Sequence, residues 1–266
     1  MAKLGLIHYN APGPDLEGFL NYAAETGFAY VELQCPDVWP EGVDHPEAHA
    51  ESVRKLVESK GLAVSAVAAH NDFVVLGADE IEFQVTRMQR VCKLAQIVGT
   101  SILRTEGGSP KESVPPDRQV EAMAGCLTRC REFIEPMGIK LAVDNHGWVT
   151  NDGDLLLDLF GRVNSPNVGS NLDTMNLRWF GHDLATIDRF YEILAPYVFH
   201  THLKDGTGSR ENYVGAALGD GEIHLTYAVE RLKKAGFDGV WCAEYEGRED
   251  SAIGYAKCLK WMKANL

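Results

Sequence analysis

Short runs rich in Val, Leu and Ile alternate with longer stretches in which apolar residues recur every three to four positions. The alternation repeats from one end of the chain to the other and resolves into eight units. The short runs predict strands at Leu4–His8, Ala29–Leu33, Leu62–Ala68, Ser101–Arg104, Lys140–Val143, Asn167–Leu172, Val198–Leu203 and Gly239–Ala243. The longer stretches predict helices near 15–26, 47–60, 79–98, 117–136, 153–161, 183–194, 225–235 and 250–264. Gly27, Gly61, Gly99, Gly138 and Gly236 each close an apolar-periodic stretch just before a strand, which marks them as αβ turns. A near-continuous apolar run such as Leu62-Ala63-Val64-Ser65-Ala66-Val67 suits a strand covered on both faces, hence a parallel sheet flanked by helices. Eight βα units close most simply into a (β/α)8 TIM barrel of the α/β class. The competing open, doubly wound sheet would need a GxGxxG turn after its first strand to serve a nucleotide. The chain reads His8-Tyr9-Asn10-Ala11-Pro12-Gly13-Pro14 there.

A chain of 266 residues with 45% apolar content has the size of one such barrel. No linker or low-complexity tract interrupts it, so residues 1–266 are expected to form one domain. Asp and Glu outnumber Lys and Arg by 38 to 25, a net charge of −13 that repels a phosphate backbone and argues against a nucleic-acid partner. The apolar Leu4-Gly5-Leu6-Ile7 is too short for a secretory segment and no later stretch is long enough to span a bilayer. A cytoplasmic location without a membrane partner is the expectation. The six cysteines are scattered; Cys126 and Cys130 stand one helical turn apart and no CxxC pair occurs, which fits reduced structural thiols.

In a (β/α) barrel the chemistry sits at the C-terminal ends of the strands. The loops after the later strands, 105–116, 144–152, 173–182 and 204–224, are long and polar. Strand five ends Val143-Asp144-Asn145-His146, strand six Asn171-Leu172-Asp173, strand seven His200-Thr201-His202-Leu203-Lys204-Asp205, and strand eight Ala243-Glu244-Tyr245-Glu246. Four consecutive strands thus each deliver a group of metal-ligand type. Carboxylates gathered at one barrel mouth repel one another and cost several kcal/mol each unless paired or bound to a cation. Oxygen-rich ligation with one nitrogen suits Mn²⁺ first, then Mg²⁺ or Co²⁺, better than a structural zinc.

These segments resemble the sugar isomerase and epimerase barrels of the xylose-isomerase-like superfamily, which holds ketose 3-epimerases, inosose-processing enzymes and, more distantly, endonuclease IV. The resemblance covers the whole chain and is carried by Leu141-Ala142-Val143-Asp144-Asn145-His146-Gly147, Asn171-Leu172-Asp173-Thr174, His200-Thr201-His202-Leu203-Lys204-Asp205, Gly219-Asp220-Gly221-Glu222-Ile223 and Trp241-Cys242-Ala243-Glu244-Tyr245-Glu246. It implies a metal held by Asp144, Asp173, His202 and Glu244, with His200 behind the ligand histidine. It also implies a small sugar or polyol substrate and a homo-oligomer. The chemistry implied is proton abstraction beside a metal-polarised carbonyl. Glu244 and Asp144 serve as the proton carriers. Return of the proton from the opposite face gives an epimer, and return to the neighbouring carbon an aldose–ketose isomer. A lyase or dehydratase using the same enediolate is the runner-up, and a barrel that binds a sugar without turnover a third reading.

Two departures from the family pattern stand out. The strand-five ligand is commonly Glu in a Glu-Asn-His-like motif, and Asp144 is one methylene shorter. Asn176 stands where many members carry a His, which removes an imidazole that endonuclease chemistry needs. Substrate contacts are expected from His146, Asn176, Lys204 and Arg104, and Glu246 is expected beside a Lys or Arg. His8, Glu32 and Glu106 end early strands and are assigned to hydroxyl binding or rim packing. Trp39, Trp148 and Trp179 fall in βα loops as apolar platforms for a sugar face or as packing.

Overall fold

The computed structural model describes residues 2–266. Eight parallel strands form a closed barrel: Lys3–Ile7, Tyr30–Gln34, Ala63–Ala68, Ile102–Thr105, Lys140–Asp144, Val168–Asp173, Val198–Leu203 and Val240–Ala243. Each pairs with its neighbour in sequence, and Leu6 opposite Ala243 closes the ring between first and last. The main outer helices are Leu16–Thr26, Glu47–Ser59, Ala78–Val98, Gln119–Met137, Gly153–Val163, Leu184–Leu194, Leu225–Lys234 and Ser251–Asn265. Local chemistry fixes their ends. Asp15, Asp152, Asp183 and Asp250 accept first-turn backbone N–H groups at four N-termini. Gly27, Gly99 and Gly138 cap C-termini with φ of 99°, 93° and 66°, a left-handed turn that other residues adopt only with strain.

The apolar periodicity becomes a burial stripe: Val85, Met88, Val91, Cys92, Ala95 and Val98 face the barrel from one helix. Cys126 and Cys130 lie on the corresponding stripe of Gln119–Met137, and all six cysteines are buried and free. Two short helices, Cys35–Val38 and Asn176–Phe180, and an antiparallel hairpin, Asp205–Thr207 with Val214–Ala216, lie outside the predicted elements. All three follow C-terminal strand ends, where polar loop sequence masks short elements.

The barrel interior is unusually polar. His200 on strand seven reaches Asn171 on strand six at 2.9 Å and Ser65 on strand three at 3.2 Å, spanning the lumen. Two register shifts, between Val31 and Glu32 and between Ser170 and Asn171, lie immediately before polar residues of this interior. Such irregularities re-aim side chains relative to an ideal ladder. No helix among the described residues is long and apolar enough to cross a membrane.

Candidate metal centre and active site

Strands six, seven and eight bring Asp173, His202 and Glu244 together, with one ligand atom from each lying within 4.8 Å of the others. The alternation of strands explains it. Asn171 and Asp173 share one phase of strand six, His200 and His202 one phase of strand seven, and that phase points inward. His202 Nδ1 lies 3.0 Å from Glu244 Oε2 and Nε2 lies 2.7 Å from Glu32 Oε2. An imidazole between two carboxylates holds a proton on each nitrogen; burial opposes this charge, but Glu32 and Glu244 outweigh burial and raise the pKa of His202 well above its ordinary value. The same contacts act in reverse on Glu32: burial would raise it, yet His202 and Arg104 hold it down at about 2.

Lys204 adds a second cation. Its Nζ stands 3.0 Å from both Glu244 and Glu246 and donates to Asn176 Oδ1 at 3.3 Å. Burial works against the charge on Lys204, and Glu244, Asp173 and Glu246 overcome it. Glu244 is correspondingly held low: Lys204 and His202 outweigh its burial. Asp173 is the exception. Its Oδ1 accepts the backbone N–H groups of Met175 and Asn176 at 2.8 and 2.7 Å. Its Oδ2 is buried and finds no donor among the described residues. Burial, offset only in part by Lys204, raises Asp173 to about 7.

Such an orphaned oxygen, facing a histidine and a second carboxylate, is what a cation ligand looks like without its cation. Charge balance agrees. With His202 neutral, as a ligand must be, the carboxylates around the cluster, Glu32, Asp144, Asp173 and Glu244, outnumber its buried cations, Arg104 and Lys204, by two. One divalent ion matches that deficit, so the residues present fit a metal at Asp173, His202 and Glu244.

Asp144 does not join this cluster. Its Oδ2 accepts from Arg104 Nη1 at 2.9 Å and its Oδ1 from Asn171 Nδ2 at 2.7 Å. The shorter side chain ends at Arg104 and stays apart from the group formed by Asp173, His202 and Glu244. Arg104 is itself buried and donates through Nε to Glu32 at 2.8 Å, so its guanidinium supports the floor of the site and does not line the cleft above it. Glu32, assigned from sequence to hydroxyl binding or rim packing, is fully buried as the partner of His202. Asn171 was not singled out from sequence at all, although its phase with Asp173 was the available signal.

Next to the cluster, and sharing Lys204 with its surroundings, lies a cleft of about 820 Å³ that Asp173, His202 and Glu244 do not themselves line. Lys204, Asn176, Glu246, His146, Trp148, Trp179, His70, Asn71 and Glu106 are among the residues that line it. Trp148 and Trp179 meet edge to face at 5.9 Å, and Arg210 from the hairpin lies 4.8 Å from the Trp148 ring centre. Trp39 is away from the cleft, beneath Arg90 at 4.5 Å. His8 turns from the mouth to Asp37 at 2.8 Å and stacks on Phe19.

Comparison with known proteins accords with this geometry. The family described as xylose isomerase-like TIM barrel matches residues 20–265. A Streptomyces coelicolor protein named "Putative hydroxypyruvate isomerase" is 22% identical over 260 residues, covering 91% of this chain and 88% of that protein. An uncharacterised Methanocaldococcus jannaschii protein is 25% identical over 129 residues, 47% of this chain and 43% of that protein. Two solved structures share the fold. The IOLI protein, solved with a bound zinc atom, superposes with a TM-score of 0.79 at 18% identity over 99% of this chain and 96% of its own. The D-allulose 3-epimerase from Methylomonas sp., in complex with D-allulose, gives 0.78 at 16% identity over 100% and 97%. The closed eight-stranded barrel and the match over residues 20–265 together establish that this chain belongs to the xylose isomerase-like TIM barrel family.

Proposed function

We propose that the protein is a divalent-metal-dependent isomerase or epimerase of a small sugar, ketosugar or inosose. The observation that carries this reading is the convergence of Asp173, His202 and Glu244, with Asp173 Oδ2 unpartnered, next to a cleft lined by Lys204, Trp148 and Trp179. Two carboxylates and one imidazole make Mn²⁺ the first choice of ion, with Mg²⁺ or Co²⁺ as alternates. When bound, such an ion polarises a carbonyl and acidifies the adjacent C–H. Names of relatives support the reaction class, since they include a D-allulose 3-epimerase and a protein named as a hydroxypyruvate isomerase.

Glu244 is the carboxylate assigned to move the proton, and Lys204, 3.0 Å away, steadies its charge. Asn176, Lys204 and His146 border the cleft and supply donors and acceptors for hydroxyl groups, while the paired indoles offer an apolar surface to a sugar face. Because Asp144 is held by Arg104 and Asn171 outside the cluster of Asp173, His202 and Glu244, isomerisation with Glu244 alone is favoured over epimerisation by two opposed carboxylates.

Incubation of the Mn²⁺-loaded protein in D₂O with ketosugars including D-allulose, and with hydroxypyruvate, tests this reading. Solvent deuterium is expected on the carbon next to the carbonyl, at a rate that falls about a hundredfold or more in Glu244→Gln, which loses an acid–base group and a metal ligand together. Equal incorporation by wild type and Glu244→Gln, or none into any substrate of the class, would overturn it.

A further inference from the structure

We infer that the ion has three protein ligands, Asp173, His202 and Glu244, and that Asp144 stays outside its coordination shell as the counter-ion of Arg104. This rests on the metal reading proposed above and specifies its ligand set. The four candidate groups differ in position: Asp173, His202 and Glu244 offer ligand atoms within 4.8 Å of one another, and Asp144 falls outside that group. Asp173 keeps a buried oxygen without a donor, and Glu244 and His202 face it. Both Asp144 oxygens already accept hydrogen bonds, from Arg104 at 2.9 Å and Asn171 at 2.7 Å.

Those bonds are parts of a line across the barrel that is costly to break. Asp144 meets Arg104, Arg104 meets Glu32 at 2.8 Å, and Glu32 meets His202 Nε2 at 2.7 Å. The members are 1%, 7%, 0% and 1% exposed in that order. Turning Asp144 toward the ion would strip a buried guanidinium of one of its two hydrogen-bonded carboxylates, leaving Glu32 and the more distant, half-buried Glu106 at 3.6 Å, and breaking such a buried pair is strongly destabilising. Asn171 secures the arrangement from the next strand: its amide donates to Asp144 while its carbonyl oxygen faces His200 Nδ1 at 2.9 Å. With Asp in place of the longer Glu, the acid at the end of strand five belongs to this line. Three protein ligands leave an octahedral ion with about three positions for water or substrate oxygens.

Calorimetric titration of chelator-stripped protein with Mn²⁺ reads the ligand set variant by variant. Asp173→Asn and His202→Ala are expected to weaken binding by more than about a hundredfold, as loss of a ligand does. Glu32→Gln, which removes the partner that orients a ligand, is expected to weaken it about ten- to a hundredfold. Asp144→Asn is expected to cost less than about tenfold, and a larger loss overturns the inference. Asp144→Asn also strips Arg104 of a partner and risks misfolding, so the wild type supplies a second readout. Broadening of the Mn²⁺ electron-paramagnetic-resonance lines in oxygen-17 water counts bound waters; about three are expected, and about two would admit a fourth protein ligand and overturn the three-ligand set. A wild type that binds no Mn²⁺, Co²⁺ or Zn²⁺ overturns the metal reading itself, whereas tight binding lost in Asp144→Asn overturns the ligand set alone.

Discussion

Asp173 pays for its position in stability as long as no cation neutralises it. Burial, only partly countered by Lys204, raises its pKa from 3.8 to about 7 in the folded, metal-free chain. A carboxyl whose folded pKa lies above its unfolded value binds protons more tightly when folded. Its contribution to stability is therefore full below 3.8 and is lost as pH rises toward about 7. Asp173→Asn removes that titration while its side-chain oxygen still accepts the N–H groups of Met175 and Asn176. Metal-free Asp173→Asn is accordingly expected to melt at or above the wild type near about pH 7.5, with the difference shrinking or reversing by about pH 5. A wild type that gains stability over the variant as pH rises would refute this account of the orphaned oxygen. The same protons compete with the ion, and so does the proton His202 must release, so Mn²⁺ affinity is expected to fall as pH drops through about 7 and to go on rising above it. Calorimetry across that range checks it, and a pH-independent affinity would speak against Asp173 as a ligand.

Loops and strand ends show how local order is tied to the site. Asp205, at the start of the hairpin after strand seven, accepts the backbone N–H groups of Gly206, Gly219, Gly221 and Ile223 at 2.8, 2.9, 3.1 and 3.2 Å. Gly221 leaves no alternative there, because a Cβ on it would lie 2.1 Å from Asp205 Oδ1. Asp205→Asn turns two acceptor oxygens into one and aims an NH₂ at N–H donors. We expect a loss of about 2 kcal/mol or more, or a melting point lower by at least about 4 °C. A change under about 1 °C would show that the carboxylate does not hold this loop. The eight barrel strands lay within a residue or so of the apolar runs, because burial on both faces leaves a near-continuous signal. The hairpin and the helices Cys35–Val38 and Asn176–Phe180 are too short and too polar to leave a period. Site acids were readable as strand-end residues of one phase. Their partners were not, since Glu32 and His202 lie 170 residues apart and meet only when the barrel closes. Likewise, the turn of Asp144 toward Arg104 depends on the length of one methylene group, which no spacing encodes.

The molecule as a whole carries a net charge of −13, with the proposed metal cluster of Asp173, His202 and Glu244 at the C-terminal end of the barrel. Abasic duplex DNA is therefore expected not to bind at physiological salt, and tight, salt-sensitive binding would contradict that. Binding of an ion to the folded state alone at about a hundred times its dissociation constant adds about 2.7 kcal/mol. For a chain of this size that corresponds to a rise of about 5–10 °C in melting temperature. A scan with and without Mn²⁺ measures it, and an unchanged melting point would mean that no such site is filled. The most direct test of the central claim is metal content by mass spectrometry after stripping, reloading and desalting. About one ion per chain is expected in the wild type, and under about a tenth of that in His202→Ala and Glu244→Gln, each of which removes a ligand. Full occupancy in both variants, or an empty wild type, would contradict a metal centre built from Asp173, His202 and Glu244.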